Sequence, residues 1–246
     1  YETKDLGVIS LEFADYNFDH RIIITGREQF EYMKVVFAAA GELMPKLNGN
    51  MTHLTNGIIK FGDGKKMSSR LGNVTTAVDV LETVTKIVEK ENEPSIAKTI
   101  TLGAIKYAFL KQRLGGDIAF DAEESVSLQG NSGPYLQYAH ARARSILEKS
   151  TIQNATIFNS LTTHERSLAR ALTHYQIALN RAITELMPHH ICTYLYELAQ
   201  AFNRFYENSK VIGDEREAIR RALVERYADT LKAGLEILGI TAPNKM

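Results

Sequence analysis

The chain has 246 residues, of which 44% are hydrophobic and 24% are charged, so it can bury a sizeable core and we expect two domains. No apolar run approaches the roughly 18 residues that span a bilayer, and the first residues lack the apolar core of a signal peptide. The cytoplasm is therefore the expected compartment. The formal net charge is +0, so any attraction to nucleic acid must come from a local patch.

Two single residues limit the interpretation further. The only cysteine, Cys192, excludes an internal disulfide, and its place in an apolar helical pattern indicates a buried structural thiol. The first residue, Tyr1, already belongs to a segment with an ordered pattern. We therefore expect the chain to be part of a longer protein.

Residues 1–75 alternate strand and helix patterns. The β-branched run 21–26 is closed by glycine, which predicts a strand buried on both faces of a parallel sheet. An amphipathic helix is predicted to follow it as far as Gly41, and residues 53–61 are predicted to form one strand. This order predicts half of a doubly wound, Rossmann-like α/β domain.

The next segment, 64–73, combines cations, hydroxyls and glycines in the sequence Gly-Lys-Lys-Met-Ser-Ser-Arg-Leu-Gly-Asn. Lys66 and Arg70 can neutralise a triphosphate while a phosphoryl bond breaks. Ser68 and Ser69 can donate hydrogen bonds to the same phosphates. A solvated turn has a similar composition, so the residues alone leave both interpretations open.

The pattern becomes helical after residue 75. Two connecting helices are predicted within residues 76–125, separated at Pro94. Residues 126–246 predict an all-α bundle, in which one helix runs from about residue 162 to Pro188. The ends of its helices are indicated by an N-cap at Ser132, capping boxes at Thr162–Glu165 and Asp214–Glu217, and a closing glycine at Gly239.

Two motifs connect these patterns to a known family. Residues 66–70 are similar to the Lys-Met-Ser-Lys-Ser loop of class I aminoacyl-tRNA synthetases, with Ser69 in place of the second lysine. Residues 131–142, which include Gly-Pro-Tyr-Leu-Gln-Tyr-Ala-His-Ala-Arg, resemble a segment specific to arginyl-tRNA synthetases. Further similar segments extend the resemblance to the C-terminal half of that family over almost the whole chain: 1–7, 26–29, 198–206 and 234–240.

The resemblance implies an arginine–tRNA ligase that activates arginine with ATP, releases pyrophosphate and transfers the arginyl group to tRNA(Arg). It implies part of the catalytic domain over residues 1–75, connecting helices over 76–125 and an anticodon-binding bundle over 126–246. The implied partners are L-arginine, ATP and tRNA(Arg), with Mg²⁺ accompanying ATP and no metal held by the protein. We expect the whole enzyme to act as a monomer.

The family's contacts with the arginine side chain match Tyr1, Asp5 and Gln29. Tyr1 and Asp5 are predicted where one strand passes into its helix, and Gln29 follows the next strand, so we expect them to meet at neighbouring strand ends. Asp5 can pair with a guanidinium, while Gln29 and Tyr1 supply neutral contacts. For Asp5 alone, a role as a helix-end charge is the alternative.

For ATP, the resemblance implies catalytic roles for three loop residues, Lys66, Ser68 and Arg70. The implied ATP-binding set is Gly57, Lys66, Met67, Ser68 and Ser69. The family's first ATP motif, of the His-x-Gly-His type, is absent from the sequence. We therefore expect the chain alone not to form arginyl-adenylate.

For tRNA, the resemblance implies a set of anticodon contacts in the helical half: Tyr138, His140, Arg142, Asn203, Tyr206 and Met246. Aromatic rings and guanidinium planes suit unpaired bases, which stack on them while cations hold the backbone. Phe202 and Phe205 are instead expected in the core. Four further cations form either a basic face or a solvated surface: Arg216, Arg220, Arg221 and Arg226.

Two other functions remain open from the sequence. One is a stand-alone tRNA-binding module with a vestigial nucleotide fold, which an upstream reading frame encoding an ATP-binding half would argue against. The other is a generic nucleotidyltransferase with a helical appendage. That function explains the lysine-rich loop but predicts tRNA binding that is insensitive to the anticodon bases.

Overall fold

The computed structural model describes residues 2–61, 65–66, 76–151 and 160–246. For Glu2, Lys65 and Lys66 it describes the backbone alone. No helix in these ranges is long and apolar enough to cross a membrane.

The chain forms two compact units, which we call the α/β unit and the helical unit. The α/β unit comprises Tyr1–Lys60 and Leu114–Ala119. The helical unit comprises Phe61–Arg113 and Phe120–Met246.

The α/β unit is built on a parallel pair of strands. Its helices and strands are α1 (Glu2–Tyr16), β1 (Arg21–Gly26), α2 (Phe30–Leu43) and β2 (Met51–Asn56). β1 and β2 pair in register from Arg21 opposite Met51 to Gly26 opposite Asn56. The helices pack around a small core of Ile9, Val36, Ala40 and Leu47. Short 3-10 helices, Arg27–Gln29 and Pro45–Leu47, follow β1 and α2.

Two expectations for this unit were wrong. β1 is not buried on both faces, because Ile22 and Ile24 are 46% and 54% exposed. Gly41 does not end α2, which continues to Leu43. Pro45 stops the helix more effectively than the glycine, because proline lacks the N–H that helix continuation requires.

The strand predicted for residues 53–61 is divided in two. After β2, the chain turns at Gly57 and resumes as β3 (Ile59–Phe61). A β-carbon at Gly57 would lie 2.0 Å from the carbonyl oxygen of Gly116, so only glycine permits this close approach of two backbone segments.

A second sheet has the strand order β4-β3-β5. Its other strands are β4 (Lys65–Lys66) and β5 (Ile118–Phe120). The expectation of purely helical structure after residue 75 therefore missed β5. Three residues are too few to produce a recognisable alternation of apolar and polar positions.

Three helices lead into the bundle: α3 (Ala77–Val88), α4 (Pro94–Leu110) and α5 (Ala122–Val126). α3 begins with a capping box between Thr76 and Asp79. α4 begins at Pro94, as predicted, because proline is well suited to a first helical position.

The bundle consists of α6 (Gly133–Lys149), α7 (Thr163–Thr173), α8 (Tyr175–Glu185), α9 (His189–Asn208) and α10 (Glu217–Ile237). The Ser132 cap is confirmed, since its side chain accepts a hydrogen bond from the N–H of Tyr135. The ending at Gly239 is also confirmed. With φ at +67°, this glycine lets its own N–H and that of Ile240 bond to carbonyls in the last turn of α10.

The bundle core follows the predicted stripe of α9. Its buried members on that helix include Ile191, Leu195, Leu198, Phe202 and Phe205. Cys192 is buried beside them, and burial raises the pKa of its thiol to about 12. The structural role expected for this cysteine is consistent with that environment.

Two details of the bundle differ from expectation. The helix predicted from residue 162 to Pro188 is two helices, α7 and α8, and Ile183 is 62% exposed instead of inward. Asp214 does not cap α10, whose N-cap residue is Arg216 without a side-chain cap bond. Asp214 instead accepts the backbone N–H of Arg216 and pairs with Arg220.

A buried ion cluster connects the first turns of α7 and α10. Glu165 is fully buried and accepts hydrogen bonds from Arg216 Nε at 2.8 Å and Arg220 Nε at 2.9 Å. It also completes the predicted capping box with Thr162. The hydrogen bonds from Arg216 lower the pKa of Glu165 to about 2. These two arginines are therefore internal partners and not a basic surface.

Candidate functional site

A groove on the helical unit brings together four of the predicted tRNA contacts. It has a volume of about 600 Å³, and its lining includes Tyr138, Arg142, Tyr206 and Met246. Tyr138 and Arg142 are four residues apart on α6 and so share one face of that helix. α9 contributes Tyr206, and the last residues of the chain contribute Met246.

The Arg142 guanidinium lies beside both aromatic rings of this groove. Its Cζ is 4.8 Å from the centre of the Tyr138 ring and 5.8 Å from that of Tyr206. Both tyrosines keep part of their surface open, at 37% and 43% exposure. The arrangement presents rings and a guanidinium plane, which are the surfaces on which unpaired bases stack.

Asn203 contacts Arg142 through its amide oxygen. Arg142 Nη1 donates to Asn203 Oδ1 at 3.3 Å, and Asn203 Nδ2 donates to the hydroxyl of Tyr135 at 2.8 Å. The Tyr135 ring packs edge-on against Tyr196, with centroids 5.7 Å apart. The sequence had singled out Asn203 but not Tyr135, because only the folded helices bring Tyr135 to Asn203.

His140 lies beneath the surface of the helical unit. It is 1% exposed, and its Nδ1 is 2.8 Å from the carbonyl oxygen of Pro243, which requires the proton on Nδ1. Gln137 donates to the carbonyl of Thr241 on the same segment. These two side chains hold residues 241–243 along α6, and Met246 follows three residues later. Burial lowers the pKa of His140, which favours the neutral ring.

Cations outnumber carboxylates around the groove. Its lining contains Arg142, Lys149 and Lys245 together with Glu148. Lys245 and Glu148 are largely exposed and 3.7 Å apart, so they form a weak, screened pair. The chain has no net charge overall, but this groove carries a local excess of positive charge.

In the α/β unit, Asp5 lies in the first turns of α1 and not at a strand end. The Tyr32 hydroxyl, on α2, donates to its Oδ2 at 2.5 Å. Gln29 is exposed at the end of the 3-10 helix that follows β1, one turn before Tyr32. The sequence did not indicate Tyr32, because its contact with Asp5 depends on how α1 packs against α2.

A further polar cluster lies on the parallel strands. Thr25 Oγ1 is 2.8 Å from His53 Nε2, and the imidazole stacks with the Phe30 ring at 6.0 Å. Burial lowers the pKa of His53, so the ring is favoured in its neutral form. Thr25 and Phe30 are close to the carboxyl end of β1, where open α/β sheets bind their ligands.

Asp117 belongs to the segment Leu114–Ala119, with which the chain returns to the α/β unit, and it is hydrogen-bonded to the chain next to Gly57. Its Oδ1 accepts the backbone N–H of Ile58 at 3.0 Å and Arg27 Nη2 at 2.7 Å, and Lys60 approaches Oδ2 at 3.4 Å. The hydrogen bond from Ile58 is the main cause of the lowered pKa of Asp117. Gly57, which was predicted to bind ATP, packs closely against the backbone of Gly116 in this loop.

Several predicted residues lie outside the described part of the chain: Tyr1, Met67, Ser68, Ser69 and Arg70, and the side chain of Lys66. In the described ranges, no group of three or more histidine, cysteine, aspartate or glutamate side chains is arranged to hold a metal ion.

Two family models match consecutive parts of the chain. Residues 1–122 match the catalytic domain of class I (R) tRNA synthetases, and residues 136–246 match the DALR anticodon binding domain. The fold and the groove thus belong to a class I aminoacyl-tRNA synthetase, with part of a catalytic domain joined to an anticodon-binding domain. Both the fold class and the resemblance predicted from the sequence are confirmed.

Similar proteins identify one family within this class. Arginine–tRNA ligases of Clostridium perfringens and Frankia casuarinae are 37% and 35% identical to the chain over its whole length. Thermus thermophilus arginyl-tRNA synthetase has a similar structure, with a TM-score of 0.80 and 32% sequence identity. The match covers 93% of the present chain and 41% of the Thermus thermophilus chain. The chain belongs to the arginyl-tRNA synthetase family. It spans about half the length of these relatives, 46% and 45% for the two ligases.

Proposed function

We propose that the chain is part of an arginine–tRNA ligase, which activates arginine with ATP and transfers it to tRNA(Arg). The observation that carries this proposal is the groove in which Tyr138, Arg142, Tyr206 and Met246 converge. These residues were selected from the sequence as anticodon contacts, and they come from three separate parts of the chain: α6, α9 and the last residues. Their convergence on one cationic, aromatic groove supports a common ligand.

In this proposal, the groove receives unpaired anticodon bases. A base stacks against Tyr138 or Tyr206, and the Arg142 guanidinium offers hydrogen bonds to a base edge or phosphate. Lys149 and Lys245 attract the sugar–phosphate backbone. His140 acts indirectly, since it holds the chain segment that leads to Met246.

For arginine, Asp5 pairs with the substrate guanidinium, and Tyr32 holds one oxygen of that carboxylate in place. Gln29 and Tyr1 add neutral contacts to the same side chain. A guanidinium is planar and carries five N–H donors, whereas a lysine ammonium leaves part of this acceptor set unpaired. An unpaired buried polar group costs about 1–3 kcal/mol, which gives roughly tenfold to hundredfold discrimination.

For ATP, the proposal assigns charge neutralisation to Lys66 and Arg70 and hydrogen bonding to Ser68 and Ser69. Mg²⁺ belongs to the nucleotide substrate, whose phosphates it binds. Ser69 stands where the signature loop has its second lysine, so Arg70 is the second cation of this loop. The pyrophosphate leaving group carries the charge that these residues stabilise.

Filter binding of tRNA(Arg) to the 246-residue chain at fixed salt tests the groove. Tyr206→Ala should weaken binding by roughly 1–3 kcal/mol, or about 5- to 150-fold, because one base loses its stacking surface. The matched control is Ile183→Ala, which removes an exposed apolar side chain of α8 away from the groove. Equal affinities for the two variants would contradict the proposed site.

The alternative is a tRNA-binding module without catalysis, which uses the same groove. It is favoured by the complete core of the helical unit, which includes 25 buried apolar residues. Arginine-dependent ATP–pyrophosphate exchange separates the two functions when it is measured in an enzyme of the relatives' length that contains this chain. Exchange supports the ligase, while tRNA binding without exchange supports the module.

A further inference from the structure

Two predicted tRNA contacts, His140 and Asn203, do not line the groove, and Asn203 contacts a residue that does, Arg142. Asn203 is absent from the described residues that line the groove. Its amide lies between the Arg142 guanidinium and the Tyr135 hydroxyl and contacts both. Any effect of Asn203 on a ligand in the groove is therefore transmitted through Arg142.

The Arg142 guanidinium and the Tyr135 hydroxyl together fix which end of the Asn203 amide faces Arg142. Because Nδ2 donates to this hydroxyl at 2.8 Å, Oδ1 is turned toward the guanidinium, whose nitrogens can only donate. The reversed amide would place an NH₂ group against those donors. Burial raises the pKa of Tyr135, so the hydroxyl keeps its proton.

Arg142 in turn depends on this contact for its orientation. A free arginine side chain has many rotamers, and each one that is excluded before binding reduces the entropy lost on binding. Asn203 holds the Nη1 side, and the rings of Tyr138 and Tyr206 flank the guanidinium. These three neighbours, which lie on α6 and α9, therefore fix the direction in which the remaining N–H groups of Arg142 point.

We propose that Tyr135 and Asn203 are positioning residues that set the Arg142 guanidinium for the recognition of an anticodon base. This inference rests on the proposed function, since it requires an anticodon in the groove. It reassigns Asn203 from a direct contact to an indirect one and adds Tyr135, which lies outside the groove lining. Recognition of the base then depends on a relay of two hydrogen bonds, from the Tyr135 hydroxyl through Asn203 to the Arg142 guanidinium that contacts the base.

The first test is Tyr135→Phe, which removes only the hydroxyl. Filter binding at fixed salt is measured with tRNA(Arg) and with the same tRNA carrying changed anticodon bases. The variant should bind tRNA(Arg) about three- to tenfold more weakly, the effect of one lost hydrogen bond, and should bind the changed tRNA as the parent chain does. Thermal unfolding should stay within about 2 °C of the parent midpoint.

The matched control is Tyr196→Phe, which removes the same atom from the ring packed against Tyr135. It should leave both affinities unchanged. Equal weakening of both tRNAs by Tyr135→Phe, or no weakening of either, would overturn the inference.

The second test uses Asn203. In Asn203→Asp, one carboxylate oxygen still accepts from Arg142 and the other accepts from the Tyr135 hydroxyl, so discrimination between the two tRNAs should persist. Asn203→Leu should abolish it, and adding Tyr135→Phe to that variant should have no further effect. Loss of discrimination in Asn203→Asp would show that the amide itself contacts the base and would overturn the relay.

Arg142→Ala distinguishes failure of the relay from failure of the groove. If this variant loses anticodon discrimination while Tyr135→Phe keeps it, the relay is wrong and the anticodon site stands. If Arg142→Ala keeps full discrimination, the groove assignment and the relay are both wrong.

Discussion

The two units of the chain differ in how completely they bury their apolar side chains. The helical unit encloses a large core, in which Phe202 and Tyr227 stack at 3.9 Å and are fully buried. The α/β unit has a core cluster of four buried residues, while Ile22 and Ile24 of β1 are about half exposed. A parallel sheet normally has both faces covered.

This difference indicates where stability and function reside in the chain. The helical unit can hold its groove in place with its own contacts, so tRNA binding should be measurable in the chain as it stands. The α/β unit exposes apolar sheet surface, and such surface favours further association. We expect its strands to open before the helices of the bundle do.

The largest effect that would sharpen this comparison is expected at Glu165. Glu165→Ala removes the acceptor of two buried arginine donors, which should cost about 3–5 kcal/mol. The midpoint of thermal unfolding, followed by circular dichroism at 222 nm, should fall by roughly 6–20 °C. The helical unit should lose its structure while the β1–β2 pair is little affected.

The control for this change is Glu236→Ala, which breaks an exposed pair with Lys232 at 3.8 Å. It should cost no more than about 0.5 kcal/mol. Since the pKa of Glu165 is lowered to about 2, its stabilisation is present above its ordinary value near 4.5 and is lost as the pH falls toward 2. The variant should lack that acid-dependent loss, and similar midpoints for both variants would show that the cluster is not a structural link.

The next effect, in the α/β unit, is expected at Gly57. In Gly57→Ala, the new β-carbon would lie 2.0 Å from the carbonyl oxygen of Gly116, so the backbone at Gly57 or Gly116 must move apart. Such overpacking costs about 1–3 kcal/mol. Hydrogen exchange should become faster in β1 and β2 and remain unchanged in α9.

Gly7→Ala is the matched glycine in the same unit, because its β-carbon would meet nothing within 4 Å on α1. It should stabilise the helix by about 0.5–1 kcal/mol. If the two alanine variants behave alike, the close approach at Gly57 has no energetic role.

The two units also differ in how well the sequence predicted them. In the bundle, the Ser132 cap, the Thr162–Glu165 capping box and the Gly239 ending were predictable because these signals are local. The break between α7 and α8 was not, since the apolar period continues across His174. In the α/β unit, the split at Gly57 depends on Gly116, which is distant in sequence and invisible to a local pattern.

The candidate sites show the same difference between local signals, which the sequence reveals, and tertiary contacts, which it does not. Tyr138 and Arg142 share a helix face, so their proximity could be predicted from their spacing alone. The contacts of Tyr32 with Asp5 and of Tyr135 with Asn203 could not be predicted, because each joins two helices through tertiary packing. Sequence similarity indicated the candidate contacts, and the structure adds the side chains that are hydrogen-bonded to them.

A smaller effect is expected at Asp5 in an enzyme of the relatives' length that contains this chain. Asp5→Ala should raise KM for arginine about tenfold to a hundredfold and leave KM for ATP within about twofold, because only arginine loses its charged partner. Asp15→Ala, on the exposed side of the same helix, should change neither constant. Equal increases for arginine and ATP would indicate that Asp5 supports the fold and not the substrate.

The smallest effect concerns the pH dependence of the helical unit and centres on His140. Burial lowers the pKa of this ring in the folded chain, so the unfolded chain takes up its proton first as the pH falls. The stabilisation is therefore complete above the ordinary histidine pKa of about 6.5 and declines below it.

His140→Asn keeps an N–H donor for the Pro243 carbonyl but cannot be protonated. Urea unfolding at pH 7.5 and 5.5 should show a smaller loss of stability in the variant, by about 1 kcal/mol. Equal losses in both chains would mean that burial of His140 has no part in the acid sensitivity of the bundle.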